Sequence, residues 1–238
     1  MSLVVILVKM QMRQMFDPQS STYTYLVWDV DSREAAVIDP VREQVERDVK
    51  LIGELDLTLK LALETHIHAD HITGSGQLRE RLGCQVGVHE KAATECADLR
   101  LIDGDLISLG EVRLKVIYTP GHTDNDISFL AEGMVFTGDI LLIRGSGRTD
   151  FQSGDAGLSY DSITQRLFSL PDDTLIYPAH DYNGFTCSTV GEEKRYNPRL
   201  GNATRRDDYI QIMHAMQLEK PEHMDIALPG NLACGMVE

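Results

Sequence analysis

Leu59, Leu61 and Leu63 alternate with the period of a strand, and the pattern runs straight into residues 64–71, ETHIHADH. That stretch puts His66, His68, Asp70 and His71 in a loop at the strand's C-terminal end. Residues of the same chemical type stand in similar places further on. His122 follows a strand-like run in TPGHT, Asp139 closes FTGD, and His180 closes YPAH. A fold for this chain must therefore make several strand ends converge.

The other periodicities say how. Thr22–Trp28 and Ala35–Ile38 read as strands joined by an Asp-Ser-Arg-Glu turn, and Val41, Val45, Val49 and Ile52 recur at helical spacing after Pro40. Gly74–Leu82 reads as a helix stopped by Gly83, and Gln85–His89 as a short strand. From Leu101 to Asp139 the pattern is one of hairpins, with Asp103-Gly104 and Glu132-Gly133 as turn signals. Leu158, Ile163, Leu167 and Leu170 suit a helix ended by Pro171; Thr174–Tyr177 is a strand, and Thr204–Leu218 a last helix. Two runs of strands, each with flanking helices, predict an α/β fold: an αββα sandwich of two mixed sheets.

No repeat or long linker divides the 238 residues, so 1–238 reads as a single domain, with about 1–11 as an N-terminal extension or edge strand. Leu3–Val8 is apolar but too short to span a bilayer, and it lacks the flanks of a signal peptide. The chain carries 22 Lys+Arg against 37 Asp+Glu, a formal charge of −15, which argues against nucleic acid and membrane surfaces as partners. An anionic substrate then needs a local basic pocket. Cys84, Cys96, Cys187 and Cys234 form no C-x-x-C pair and read as buried reduced thiols, from which a cytoplasmic location follows.

An H-x-H pair sets two imidazoles close together, whereas the adjacent Asp70 and His71 diverge. One loop can thus feed two neighbouring metal positions, and ligand count alone permits a dinuclear site.

THIHADH, PGHT, TGD and PAH, in that order, resemble the metal motifs of the metallo-β-lactamase superfamily, which implies the αββα sandwich reached above. Hydrolases of that superfamily hold two zinc ions. By that pattern one site takes His66, His68 and His122, the other takes Asp70, His71 and His180, and Asp139 bridges them. The segments LLIRGSGRTDFQSGD, PAHDYNGFTCSTVGEEKRYNPRLG and KPEHMDIALPGNLACG narrow the resemblance to the persulfide dioxygenases, from about Met12 to the C-terminus. That family implies one Fe(2+) per chain on His66, His122 and Asp139. Two neutral imidazoles and one carboxylate leave three positions for water, O2 and substrate, the facial triad of non-haem iron oxygenases. His68, Asp70, His71 and His180 then orient the ligands by hydrogen bonds or, in the alternative, hold a second ion.

The resemblance further implies glutathione persulfide and O2 as substrates, and sulfite and glutathione as products. Arg148 and Tyr182 match positions that the family uses for glutathione, and Arg199 in NPR is a further candidate. Ser146 stands where many relatives have cysteine, and Asn183 where others have histidine, so roles attached to those side chains do not transfer. A homodimer is an expected assembly. With no fused rhodanese domain, any sulfurtransferase partner is a separate protein. Two other functions compete: a dinuclear zinc thioester hydrolase similar to glyoxalase II, and a non-catalytic metal or thiol sensor. Only 58 residues follow His180 and they match the dioxygenase tail, which leaves little room for the helical domain such hydrolases append.

Overall fold

A computed structural model describes residues 9–220 and 223–236. Two six-stranded sheets face each other with helices outside, the expected sandwich. The first sheet runs, edge to edge, β1 (Met10–Asp17), β2 (Thr22–Asp29), β3 (Glu34–Ile38), β4 (Thr58–Leu63), β5 (Gln85–His89) and β6 (Leu99–Leu101). The second comprises β7 (Leu106–Leu109), β8 (Val112–Tyr118), β9 (Ile127–Ala131), β10 (Met134–Gly138), β11 (Leu175–Pro178) and β12 (Ser188–Thr189), in spatial order 12-11-10-9-8-7.

Strand β2 shows why the layers form. Every one of its residues is buried, but alternate side chains serve different cores. Tyr23, Tyr25 and Val27 point between the sheets, against Val116, Phe129 and Phe136 of the second sheet. Leu26 and Trp28 point outward beneath the helices α1 (Val45–Glu54) and α2 (Ser75–Leu82), which contribute Val45, Ile52 and Leu78. On the far face, beside α3 (Ala156–Asp161), Ile163, Leu167 and Ile176 pack with Tyr209 and Met213 of α5 (Arg206–Ala215). Each such side chain contributes about 1.5–3 kcal/mol on burial.

Strand directions position the site. β3, β4, β5 and β6 are mutually parallel, and β10 is parallel to β11. β8 and β10 both lie antiparallel to β9, so they too run the same way. The residues after β4, β8, β10 and β11 therefore emerge on one rim. Cross-sheet bonds draw the rim together: Tyr23 N–H donates to the Ala179 carbonyl at 2.7 Å, and Ile127 N–H to that of Thr65 at 2.8 Å.

Several expectations need correction. The helix predicted from Leu158 is α3, capped by the Asp155 carboxylate on Leu158 N–H, and it continues as π-helical turns over Ser162–Leu167. Leu158 itself is exposed, so it does not belong to the apolar stripe. The helix expected over Thr204–Leu218 spans only Arg206–Ala215 and is not the last. α4 (Val190–Tyr196) precedes it, and α6 (Met224–Leu232), with Pro229 inside it, follows. The internal proline hid α6 from periodicity. Asp103-Gly104 leads into β7, whereas the β7–β8 turn is made by Gly110, at φ 53°, and Glu111. Leu3–Val8 lies outside the described residues, and the edge strand begins at Met10.

The cysteines differ most. Cys96 and Cys234, 138 residues apart, form a disulfide, and Cys187 is exposed. Only Cys84 is a buried free thiol, its pKa pushed up to about 11 by burial. Spacing could not foretell the pair, because only the fold brings the β5–β6 loop against the C-terminal helix. Among the described residues, no helix is long and apolar enough to cross a membrane.

Candidate metal centre

The rim brings together all seven residues singled out by the sequence, but in two distinct sets. His66, His122 and Asp139 place one potential ligand atom each within 4.8 Å of one another. His68, Asp70 and His71 form a second such group, and Asp39, Glu64 and His68 a third. His180 approaches both Asp70, at 3.3 Å, and Asp139, at 3.7 Å, through Nε2.

Hydrogen bonds decide which nitrogens face inward. His122 Nδ1 donates to the Arg148 carbonyl at 2.7 Å, which leaves Nε2 turned to Asp139 Oδ2 at 3.6 Å. Gly147 makes this close approach feasible, since a Cβ there would lie 2.9 Å from His122 Nδ1 and 2.4 Å from the Asp139 carbonyl oxygen. His66 is oriented by a short relay. Its Nδ1 lies 3.0 Å from Thr65 Oγ1, and that hydroxyl donates to Asp39 Oδ2 at 2.9 Å. His66 Nε2 is thereby left as the free lone pair. Burial, with His68 and His122 as neighbours, drives the His66 pKa well below its ordinary range, so the ring is neutral. Asp139 Oδ1 is buried without a hydrogen-bond partner among the described residues.

His68 is turned away from this trio. Its Nε2 lies 3.1 Å from Asp39 Oδ1 and 3.4 Å from Glu64 Oε2. Burial opposes charge on the ring, but the two carboxylates outweigh it and hold the pKa well above the usual value. Glu64 also accepts from the Thr73 and Ser75 hydroxyls. Asp70 accepts from His71 Nδ1 at 2.9 Å; burial would raise its pKa, but His71 and His180 together hold it well below the carboxylate range. His180 Nδ1 donates to the Ser21 carbonyl at 3.0 Å. Despite burial, Asp139 and Asp70 raise the His180 pKa to about 10.

The donor set fits a divalent ion. Two imidazole nitrogens and a carboxylate oxygen without a proton partner meet at one point, and an unpaired buried carboxylate oxygen is costly unless a cation meets it. Asp39, Glu64 and Thr65 had not been singled out. Asp39 carried the signal shared by the others, an acid at a strand end, and Glu64 opens the histidine cluster itself.

Beside the trio lies a cleft of about 570 Å³. Leu142, Phe151, Met216 and Leu218 supply apolar walls, and Arg148, Tyr182 and Arg199, the side chains expected to meet glutathione, also line it. The two arginines differ. Arg148 is held bidentately by Asp150, at 2.7 and 2.8 Å, and also donates to the carbonyls of Leu218 and Glu219. Arg199 is bonded to Ser146, through its carbonyl and its hydroxyl, and has no carboxylate partner among the described residues. Burial lowers its pKa, the mark of a cation short of compensation. Ser146 is buried and shares a hydrogen bond of 2.9 Å with Tyr209, so its side chain is structural. Tyr182 is 73% exposed and stacks parallel to His180 at 6.0 Å between centroids.

Residues 17–180 match the family model of the metallo-β-lactamase superfamily. Persulfide dioxygenase ETHE1, mitochondrial, of Homo sapiens is 50% identical over 228 residues, 94% of this chain and 89% of that protein. The hydroxyacylglutathione hydrolase GloC of Haemophilus influenzae is 36% identical over 200 residues, 74% of this chain and 92% of its own. The crystal structure of ETHE1 from Myxococcus xanthus superposes with a TM-score of 0.92 at 51% identity, covering 94% of this chain and 99% of that one. Sheet order, rim and motifs agree with these likenesses: this chain belongs to the persulfide dioxygenase family of the metallo-β-lactamase superfamily.

Proposed function

We propose that the chain is a non-haem Fe(II) dioxygenase that oxidises glutathione persulfide with O2 and water to sulfite, with release of glutathione. The oxidised atom is the terminal sulfur, and O2 is the electron acceptor. One observation supports a single ion above all: His66, His122 and Asp139 offer converging ligand atoms, while His68 directs its Nε2 to Asp39 and Glu64. His66, His122 and Asp139 would hold the iron. When bound, the ion supplies a redox-active Lewis acid at which persulfide and O2 can meet.

The chain's own residues do the rest. The Arg148 carbonyl and the Thr65–Asp39 relay keep both imidazoles in the tautomer that offers Nε2. Arg199 is the cation best placed for a glutathione carboxylate, since a ligand at Arg148 has to compete with Asp150. Tyr182 supplies an exposed ring at the mouth. Leu142, Phe151 and Met216 give the cleft an apolar wall against which the persulfide can lie. The His180 imidazolium holds a proton between Asp70 and Asp139.

A homodimer, and a separate rhodanese-type sulfurtransferase that supplies the persulfide, extend this proposal. So does a cytoplasmic location. The second candidate is a dinuclear zinc thioester hydrolase, favoured by the grouping of His68, Asp70 and His71. Metal analysis of anaerobically purified protein, combined with an oxygen-electrode assay on glutathione persulfide, separates the two. The expected result is about one iron per chain, with oxygen uptake and sulfite formation. Two zinc ions per chain, with thioester hydrolysis and no oxygen uptake, would overturn the proposal.

A further inference from the structure

The loop that carries His66, His68, Asp70 and His71 is irregular and buried, so its backbone polar groups need partners that no strand supplies. Much of this duty falls on one distant side chain. Asn231, in α6, is 4% exposed. Its Oδ1 accepts from Thr73 N–H at 2.8 Å, and its Nδ2 donates to the carbonyls of His68 and His71, both at 2.8 Å. The two carbonyls require donors and the amide requires an acceptor, so the orientation of the side-chain amide is set by chemistry. Aspartate has the same length but lacks both donors.

The end of α6 is itself anchored. Gly76 N–H donates to the Cys234 carbonyl at 2.9 Å, and Cys234 is bonded covalently to Cys96. Gly235, at φ 76°, packs so closely that a Cβ would lie 1.9 Å from the Thr73 carbonyl oxygen. Asn231 is thus held from behind and grips the loop on both sides of Asp70.

We infer that Asn231 is a positioning residue for the metal loop: it sets the loop backbone so that the His66 ring meets His122 and Asp139. The inference rests on the proposed metal trio, yet half of its test needs no metal. In metal-free protein, hydrogen exchange at the Thr73 amide reads the grip directly. Asn231→Ala should lose that protection, whereas Asn231→Asp, which keeps the acceptor, should retain it. In iron-loaded protein, the rate of iron loss to a chelator should rise about tenfold in Asn231→Asp, because both loop carbonyls lose their donor. Leu228→Ala serves as control. Leu228 packs on the core beneath α6 and makes none of the loop bonds, so it should lower the melting temperature without speeding iron loss. If Asn231→Asp and Leu228→Ala release iron equally fast at equal melting temperature, Asn231 is merely structural and the inference fails. Wild-type protection of Thr73 in Asn231→Ala overturns it too. Iron bound elsewhere than at the trio would instead defeat the functional proposal, while the exchange measurement would still judge the grip.

Discussion

The rim holds two groups of metal-type residues that look alike in sequence and differ in what their partners are. In the trio, the imidazole nitrogens that face away from Asp139 are tied to neutral oxygens, the Arg148 carbonyl and the Thr65 hydroxyl. The inward atoms stay free to bind an ion. In the other group the nitrogen partners are carboxylates: Asp39 and Glu64 face His68 Nε2, and Asp70 faces His71 Nδ1 and His180 Nε2, while His68 Nδ1 and His71 Nε2 are buried without a partner among the described residues. The two groups thus differ in the chemistry of the partner, a neutral oxygen in the trio and a carboxylate in the other.

The comparison can be broken by removing one member from each side. His122→Ala or His66→Ala takes away a third of the proposed protein ligands, so iron content and oxygen uptake should fall to background. His180→Ala should keep iron when iron is supplied in excess, at a cost of about 10–100-fold in affinity or activity. Metal titration of the three proteins checks both. Two tightly bound ions in the wild type, reduced to one in His180→Ala, would mean that both groups are ligands.

A smaller effect separates the two cleft arginines. Arg199→Leu should raise KM for glutathione persulfide and lower kcat/KM roughly tenfold with iron retained, the cost of about one charged hydrogen bond. Arg148→Leu should cost less, since Asp150 already offsets that charge. Steady-state kinetics in which Arg148→Leu loses more would restore Arg148 as the main anion anchor.

A pH effect sharpens the carboxylate side. In metal-free protein the His180 pKa is raised from 6.5 to about 10, so the folded chain binds this proton more tightly than the unfolded one. The stability it contributes is fully present below pH 6.5 and is lost as pH rises through about 10. Melting temperature against pH should show a steeper decline in metal-free wild type than in His180→Gln, where His68 still holds a raised value. Parallel curves would mean that Asp70 and Asp139 do not hold the proton there.

Much of this molecule follows from its sequence alone, because the relevant physics is local. Alternation in Leu59–Leu63 and in the hairpins after Leu101 dictates strands, since burial on a pleat has period two. Gly83, at φ 71°, ends α2 as its position predicted. The metal-type residues are legible because their spacing at strand ends is a chain property. What the tertiary structure alone decided is who meets whom. Asp39 and Glu64 reach His68, Asp150 neutralises Arg148 while Arg199 goes without an acid among the described residues, and Cys96 finds Cys234 across 138 residues. Asn231 arrives under the metal loop on a helix that Pro229 disguised. Hydrogen bonds and ion pairs act over a few ångströms of space, and only the fold brings residues so distant in the chain within that range.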